Sequence, residues 1–94
     1  MLCLYSEEKE TFVLTHDNKT YLIDLSLDKL AEQLPASLFF RANRKFIVAA
    51  TIVNSMQADT YGKLLVHLKA HPKLPPNLTI SRDKAPAFRQ WLKR

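Results

Sequence analysis

The chemistry this sequence can offer gathers in two short basic stretches. The first, Arg41-Ala42-Asn43-Arg44-Lys45, puts three cations and an amide into five residues wedged between Leu38-Phe39-Phe40 and Phe46-Ile47-Val48. So many charges cannot all be buried, and at least Arg44 and Lys45 must project into solvent. An arginine fork can read guanine in a major groove and an asparagine can pair with adenine, so the composition suits base readout as well as phosphate contact. The same residues also fit an ordinary solvated turn with Arg41 held in an ion pair. The second stretch, Ser81-Arg82-Asp83-Lys84, falls where a final strand is expected to enter a helix whose free amides would suit phosphate. Two such sites on connecting segments allow a two-point grip on DNA.

Catalysis has no comparable support. Nucleophilic or acid-base chemistry needs a nucleophile, a base and an orienting group together, and no G-x-S-x-G, glycine-rich phosphate loop or H-E-x-x-H supplies them. His67 and His71 have a spacing that would align two ligands on a helix, but here it runs from a strand end into a proline loop, so two unrelated histidines are expected. The single cysteine, Cys3, sits in an apolar run, reads as a small buried hydrophobe and cannot form an internal disulfide. No catalytic residue, metal site or cofactor is expected. Asn18-Lys19-Thr20 and Asn77-Leu78-Thr79 fit the N-glycosylation pattern, an accidental match without a secretory signal. Pro72-Lys73-Leu74-Pro75 reads as P-x-x-P, either a docking peptide for an extended-proline groove or a stiff loop.

The chain has 94 residues, room for one domain and one core. Hydrophobic residues at 47% and charged residues at 24% are ordinary for a globular domain and argue against disorder. No apolar run approaches the ~20 residues that span a bilayer, so no membrane association and a cytoplasmic location are expected. The net charge of +5 is unevenly spread: residues 1–40 hold three lysines against seven acids, a net of −4, and residues 41–94 hold eleven Lys/Arg against two acids, a net of +9. A basic surface and a more acidic one are expected, the former attractive to a polyanion, with nucleic acid the leading partner class and simple solubility the alternative.

The elements that must position these stretches are mostly short β-branched and aromatic runs. Strands are expected at residues 2–5, 11–15 and 20–24, with His16-Asp17-Asn18-Lys19 as a tight turn. Ser26 should cap a helix with Leu27, Leu30, Ala31 and Leu34 on its apolar face, ended by Pro35. Residues 46–50 read as a strand covered on both faces, 51–57 as extended, 64–68 and 78–80 as strands, and 70–77 as a proline-broken loop. Ser81 should cap a closing helix whose face carries Ala85, Phe88, Trp91 and Leu92, with Pro86 in its first turn.

Phe39-Phe40-Arg41-Ala42-Asn43-Arg44-Lys45-Phe46-Ile47-Val48, followed by Ile52-Val53, closely resembles the central motif of LytTR domains. Leu78-Thr79-Ile80-Ser81-Arg82, then a helix with Phe88 and Trp91-Leu92, is similar to that family's terminal strand and closing helix. The resemblance covers essentially the whole chain. It implies a mostly β fold of short antiparallel sheets in an elongated sandwich with a short internal helix and a C-terminal helix. It also implies sequence-specific binding of double-stranded DNA by loops in successive major grooves, commonly on paired direct repeats that could seat a dimer. By position the base-reading residues fall on Arg44 and Arg82, with Asn43, Lys45 and Lys84 for neighbouring bases or phosphates. A further family contact, from the first hairpin loop, would fall near Glu10 and Thr11, where Glu10 departs from the basic or polar residue expected; Ala49 replaces the family's asparagine.

The expected function is transcriptional regulation as the output domain of a two-component response regulator. Residues 1–94 would then be the LytTR-type, C-terminal part of a longer protein whose upstream receiver domain this chain lacks. The other reading is a β protein-interaction module with a basic face and a proline-rich docking loop.

Overall fold

A computed structural model describes residues 2–93; Met1 and Arg94, the ends of the expected domain, lie outside the described residues. Eight strands, two α-helices and one 3-10 turn follow in the order β1 (Cys3–Glu7), β2 (Glu10–Leu14), β3 (Thr20–Ile23), α1 (Leu27–Gln33), β4 (Phe39–Arg41), β5 (Phe46–Ala49), the turn Ala50–Ile52, β6 (Val53–Ala58), β7 (Leu64–Leu68), β8 (Asn77–Ile80) and α2 (Ala85–Leu92). All pairings are antiparallel, in a five-stranded sheet of order β3-β2-β1-β5-β4 and a three-stranded sheet β6-β7-β8. The molecule measures 37 × 27 × 27 Å, a sandwich drawn out along one axis.

Side-chain alternation divides the apolar residues of the larger sheet between two cores. Cys3, Leu14 and Val48 point into the space between the sheets and meet Ile52, Leu64, Val66, Leu78, Ile80 and the Phe88 and Trp91 rings of α2. Their chain neighbours Leu4, Val13 and Ile47 point the other way and meet Leu27 and Leu30 of α1. That double covering explains why residues 46–49 form an almost unbroken apolar run. Each large side chain buried this way contributes about 1.5–3 kcal/mol. Phe40 packs edge-on to Phe88 with centroids 5.2 Å apart, which locks α2 against β4.

The Ser26 hydroxyl accepts the Lys29 amide at 3.2 Å, so the expected cap of α1 is present. Ala31 is exposed instead of facing the core, because a seven-residue helix seats only one stripe, here Leu27 and Leu30 with Leu34 partly covered. Residues 50–52 tighten into a 3-10 turn where an extended segment was expected; the chain leaves the first sheet here and must bend to start the second. At the closing helix the Ser81 hydroxyl accepts the Lys84 amide at 3.4 Å, as expected of a cap, but the turn it caps precedes α2, whose own flanking residue makes no side-chain cap bond. The Ser81 carbonyl accepts the amides of Lys84 at 3.1 Å and Ala85 at 2.9 Å, forming a separate turn through residues 82–84, and α2 begins at Ala85 with Lys84 as its flanking residue. Arg82 lies on that turn, past the end of β8.

Candidate nucleic-acid interface

The loop at residues 42–45 is a hairpin connection in which the carbonyls of Asn43, Arg44 and Lys45 each accept a hydrogen bond. The Ala42 amide donates to the Phe46 carbonyl at 2.9 Å and closes the loop. Arg41 then secures it from one side: Nε donates to the Asn43 carbonyl at 2.7 Å, and Nη2 to the Arg44 carbonyl at 2.9 Å. Its Nη1 reaches Asp28 Oδ1 of α1 at 2.8 Å, the ion pair that a structural role for Arg41 calls for. The Lys45 carbonyl accepts the Ser6 amide of β1 at 2.9 Å. Asn43 Oδ1 accepts the amides of Lys45 at 2.7 Å and Phe46 at 3.0 Å. A loop so fully bonded is stiff, and the side chains of Arg44 and Lys45 project from it into solvent. Asn43 has only its amide donors left, so a two-bond pair with adenine is unavailable while these bonds hold.

Arg82, also exposed, lies beside this loop through a chain of register contacts. Leu64 pairs with Ile80, which places Lys63 next to Ser81 at one end of the smaller sheet. Asn43, Arg44, Lys63, Ser81 and Lys84 line one concavity, and Tyr61, Lys63, Arg82 and Asp83 line an adjoining one. Lys63 is common to both. Lys84 Nζ donates to the Arg41 carbonyl at 3.4 Å and ties the two basic segments together. All five sequence-derived candidates, Asn43, Arg44, Lys45, Arg82 and Lys84, therefore sit at one end of the sandwich.

Sequence reading missed Lys63 and Tyr61. They follow Asp59, whose Oδ1 accepts the Tyr61 amide at 2.8 Å and the Lys63 amide at 3.0 Å, in a tight turn through Gly62 at φ +84°. The turn is legible in the sequence; the β7–β8 register that sets it beside Arg82 is not.

Electrostatics at this end are mixed. The β1–β2 turn carries Glu7, Glu8 and Glu10, and β1 joins the Arg44 loop through the Ser6 to Lys45 hydrogen bond. Burial raises the Tyr5 phenol above its ordinary value, with Glu7 and Cys3 adding to the shift. Burial alone pushes the Cys3 thiol up to about 12, so it is protonated at neutral pH and poorly nucleophilic. At the far end the Thr15 hydroxyl donates to Asp17 and holds that carboxyl below its usual range. His67 approaches Gln57 at 3.4 Å while His71 Nδ1 accepts the Lys73 amide at 3.1 Å, so each is engaged separately. Among the described residues no three His, Cys, Asp or Glu side chains converge on a common point.

The proline segment is folded down and does not stand out as an extended peptide. Leu74 packs against the inter-sheet core and its amide donates to the His71 carbonyl at 3.2 Å, while the Leu68 amide donates to the Pro76 carbonyl at 3.0 Å. A groove for extended proline peptides needs an open backbone, so the reading as a docking module loses its peptide.

Known proteins resemble this chain along nearly all of it. The model of the LytTr DNA-binding domain family matches residues 1–93. The transcriptional regulatory protein YpdB of Escherichia coli K12 is 29% identical over 87 residues, as is YpdB of Shigella flexneri; the match takes in 93% of this chain and 34% of each relative. The chain thus spans about a third of the length of the curated relatives it matches. The LytTr DNA-binding domain assigned to a methyl-accepting/DNA response regulator from Bacillus cereus superposes with a TM-score of 0.75 at 25% identity, over 99% of this chain and 81% of that one. No helix among the described residues is long and apolar enough to cross a membrane.

Proposed function

The chain belongs to the LytTR family of DNA-binding domains, and from that premise we propose that it reads duplex DNA through Arg44 and Arg82, one in each of two neighbouring major grooves. The observation that carries this reading is the joint placement of the two arginines. Both are exposed, both leave backbone segments fixed by hydrogen bonds, and both border concavities that share Lys63. A guanidinium delivered from a rigid loop forms a two-bond contact with a guanine edge at little conformational cost. Lys63 and Lys84, between and beside the arginines, suit the phosphates between the grooves, and Lys45 those on the far side of the Arg44 loop. Asn43 contributes mainly by shaping the loop, with its free amide donors available to a base or phosphate.

The whole protein's role is read from its relatives. YpdB is named a transcriptional regulatory protein and the Bacillus cereus neighbour a DNA response regulator. We place this domain accordingly as the output module of a cytoplasmic two-component response regulator, with a receiver domain on the same polypeptide and two copies on paired direct repeats.

A binding selection from randomised duplexes, followed by titration, tests the mechanism. Arg44→Ala and Arg82→Ala should each weaken binding to the selected duplex by ~1–3 kcal/mol and relax preference at one base pair. Melting the duplex should remove the preference. Wild-type binding by both arginine variants, or equal affinity for matched single strands, would sink the groove-reading mechanism.

A further inference from the structure

We infer that Gly62, in the turn between β6 and β7, is a positioning residue for Arg82. The side-chain stem of Arg82 lies across the glycine: a Cβ at position 62 would stand 2.9 Å from Arg82 Cγ and 3.0 Å from Cδ. Those atoms are the middle of the stem, so a Cβ there would displace the guanidinium as a whole and could not be relieved by turning its tip. The surface under the stem is itself fixed. Asp59 bonds the Tyr61 and Lys63 amides, and its own amide donates to the Lys63 carbonyl at 3.0 Å, so the turn cannot drift to make room. Among the described residues the Arg82 guanidinium has no hydrogen bond or ion pair to hold it. Packing of its stem on Gly62 is therefore what limits its rotamers before DNA arrives, and that lowers the ordering cost of binding. Gly62 meets two demands together, a backbone at φ +84° and an absent side chain.

The inference rests on the reading of Arg82 as a base contact, and the experiment separates the two. Gly62→Asn is the informative variant, because asparagine tolerates a left-handed backbone and adds the Cβ. Affinity and base preference would be measured on the selected duplex and on duplexes altered at the base pairs that depend on Arg82 and on Arg44. Gly62→Asn is expected to lower affinity by a factor approaching that of Arg82→Ala, about 5- to 150-fold. It should flatten preference at the Arg82-dependent base pair and leave the Arg44-dependent one intact, a selectivity that general loss of fold would not give. In an Arg82→Ala background it should cost nothing more, since alanine has no Cγ or Cδ to displace. Wild-type affinity and preference in Gly62→Asn, beside a clear loss in Arg82→Ala, would overturn the role of Gly62 and leave base reading standing. An equal loss from Gly62→Asn with and without Arg82 would overturn it too, by assigning the effect to the fold. Full binding by Arg82→Ala would remove the underlying reading instead. Gly62→Ala, put through the same cycle, serves if the asparagine variant does not fold.

Discussion

Arg41 turns its guanidinium inward, and that decides which cation of the central motif is free. Its three donors engage the Asn43 and Arg44 carbonyls and the Asp28 carboxylate, a geometry only a planar fork can satisfy. Arg41→Lys keeps the charge and loses the fork. It should destabilise the domain by about 1–3 kcal/mol in urea unfolding, since two partly shielded carbonyls lose their donors. The sequence offered two accounts of the stretch, base readout or a solvated turn with Arg41 ion-paired. Residue by residue the molecule divides them: Arg41 is the ion-paired support and Arg44 the free fork. The sequence sends Arg44 outward; that Arg41 is held inward is decided by the placement of Asp28 on α1 and by the two loop carbonyls within its reach.

Among the elements, the β1–β2 turn carries a backbone cost that its sequence does not announce. Glu8 at φ +50° and Lys9 at φ +69° occupy the left-handed region that two-residue hairpins require, where Asn-Gly would normally be found. The neighbouring Glu7 and Glu10 are directly paired across the strands, which sets two like charges opposite each other. Replacing Glu8-Lys9 by Asn-Gly should raise stability by about 1 kcal/mol or more, measured as a higher melting temperature, because L residues pay that much for a left-handed backbone. Most strand positions were legible from the alternation of apolar residues, and α1 from Ser26 and Pro35. The 3-10 corner at Ala50–Ile52 and the extra turn after Ser81 were not, since both answer to the need to change layer or direction, which local propensity does not encode.

Across the whole molecule the two oppositely charged stretches of the chain do not form opposite ends. Residues 7–10, rich in glutamate, lie at the same end as the Arg44 loop because β1 pairs with β5, and their charge would repel phosphate there. The family's first-loop contact, expected near Glu10 and Thr11, meets an exposed carboxylate at Glu10 and a buried threonine at Thr11. On the proposed DNA-binding reading, phosphate attraction at this end would fall to Lys63, Lys84 and Lys45 as single charges. Lys63→Ala and Lys84→Ala should each weaken binding to all duplexes alike and reduce the slope of log affinity against log salt by about one unit. A change in base preference without a change in slope would instead make either lysine a reader of sequence.

By itself the sequence determined a mostly β domain and two basic segments whose charges stay in solvent, because alternation, turn residues and unburiable charge are local properties. Only the tertiary structure decided that those segments share one end, that Lys63 stands between them and that Arg82 rests on Gly62. Such proximity comes from strand register and sheet stacking, and these bring together residues that the chain keeps eighteen or more positions apart.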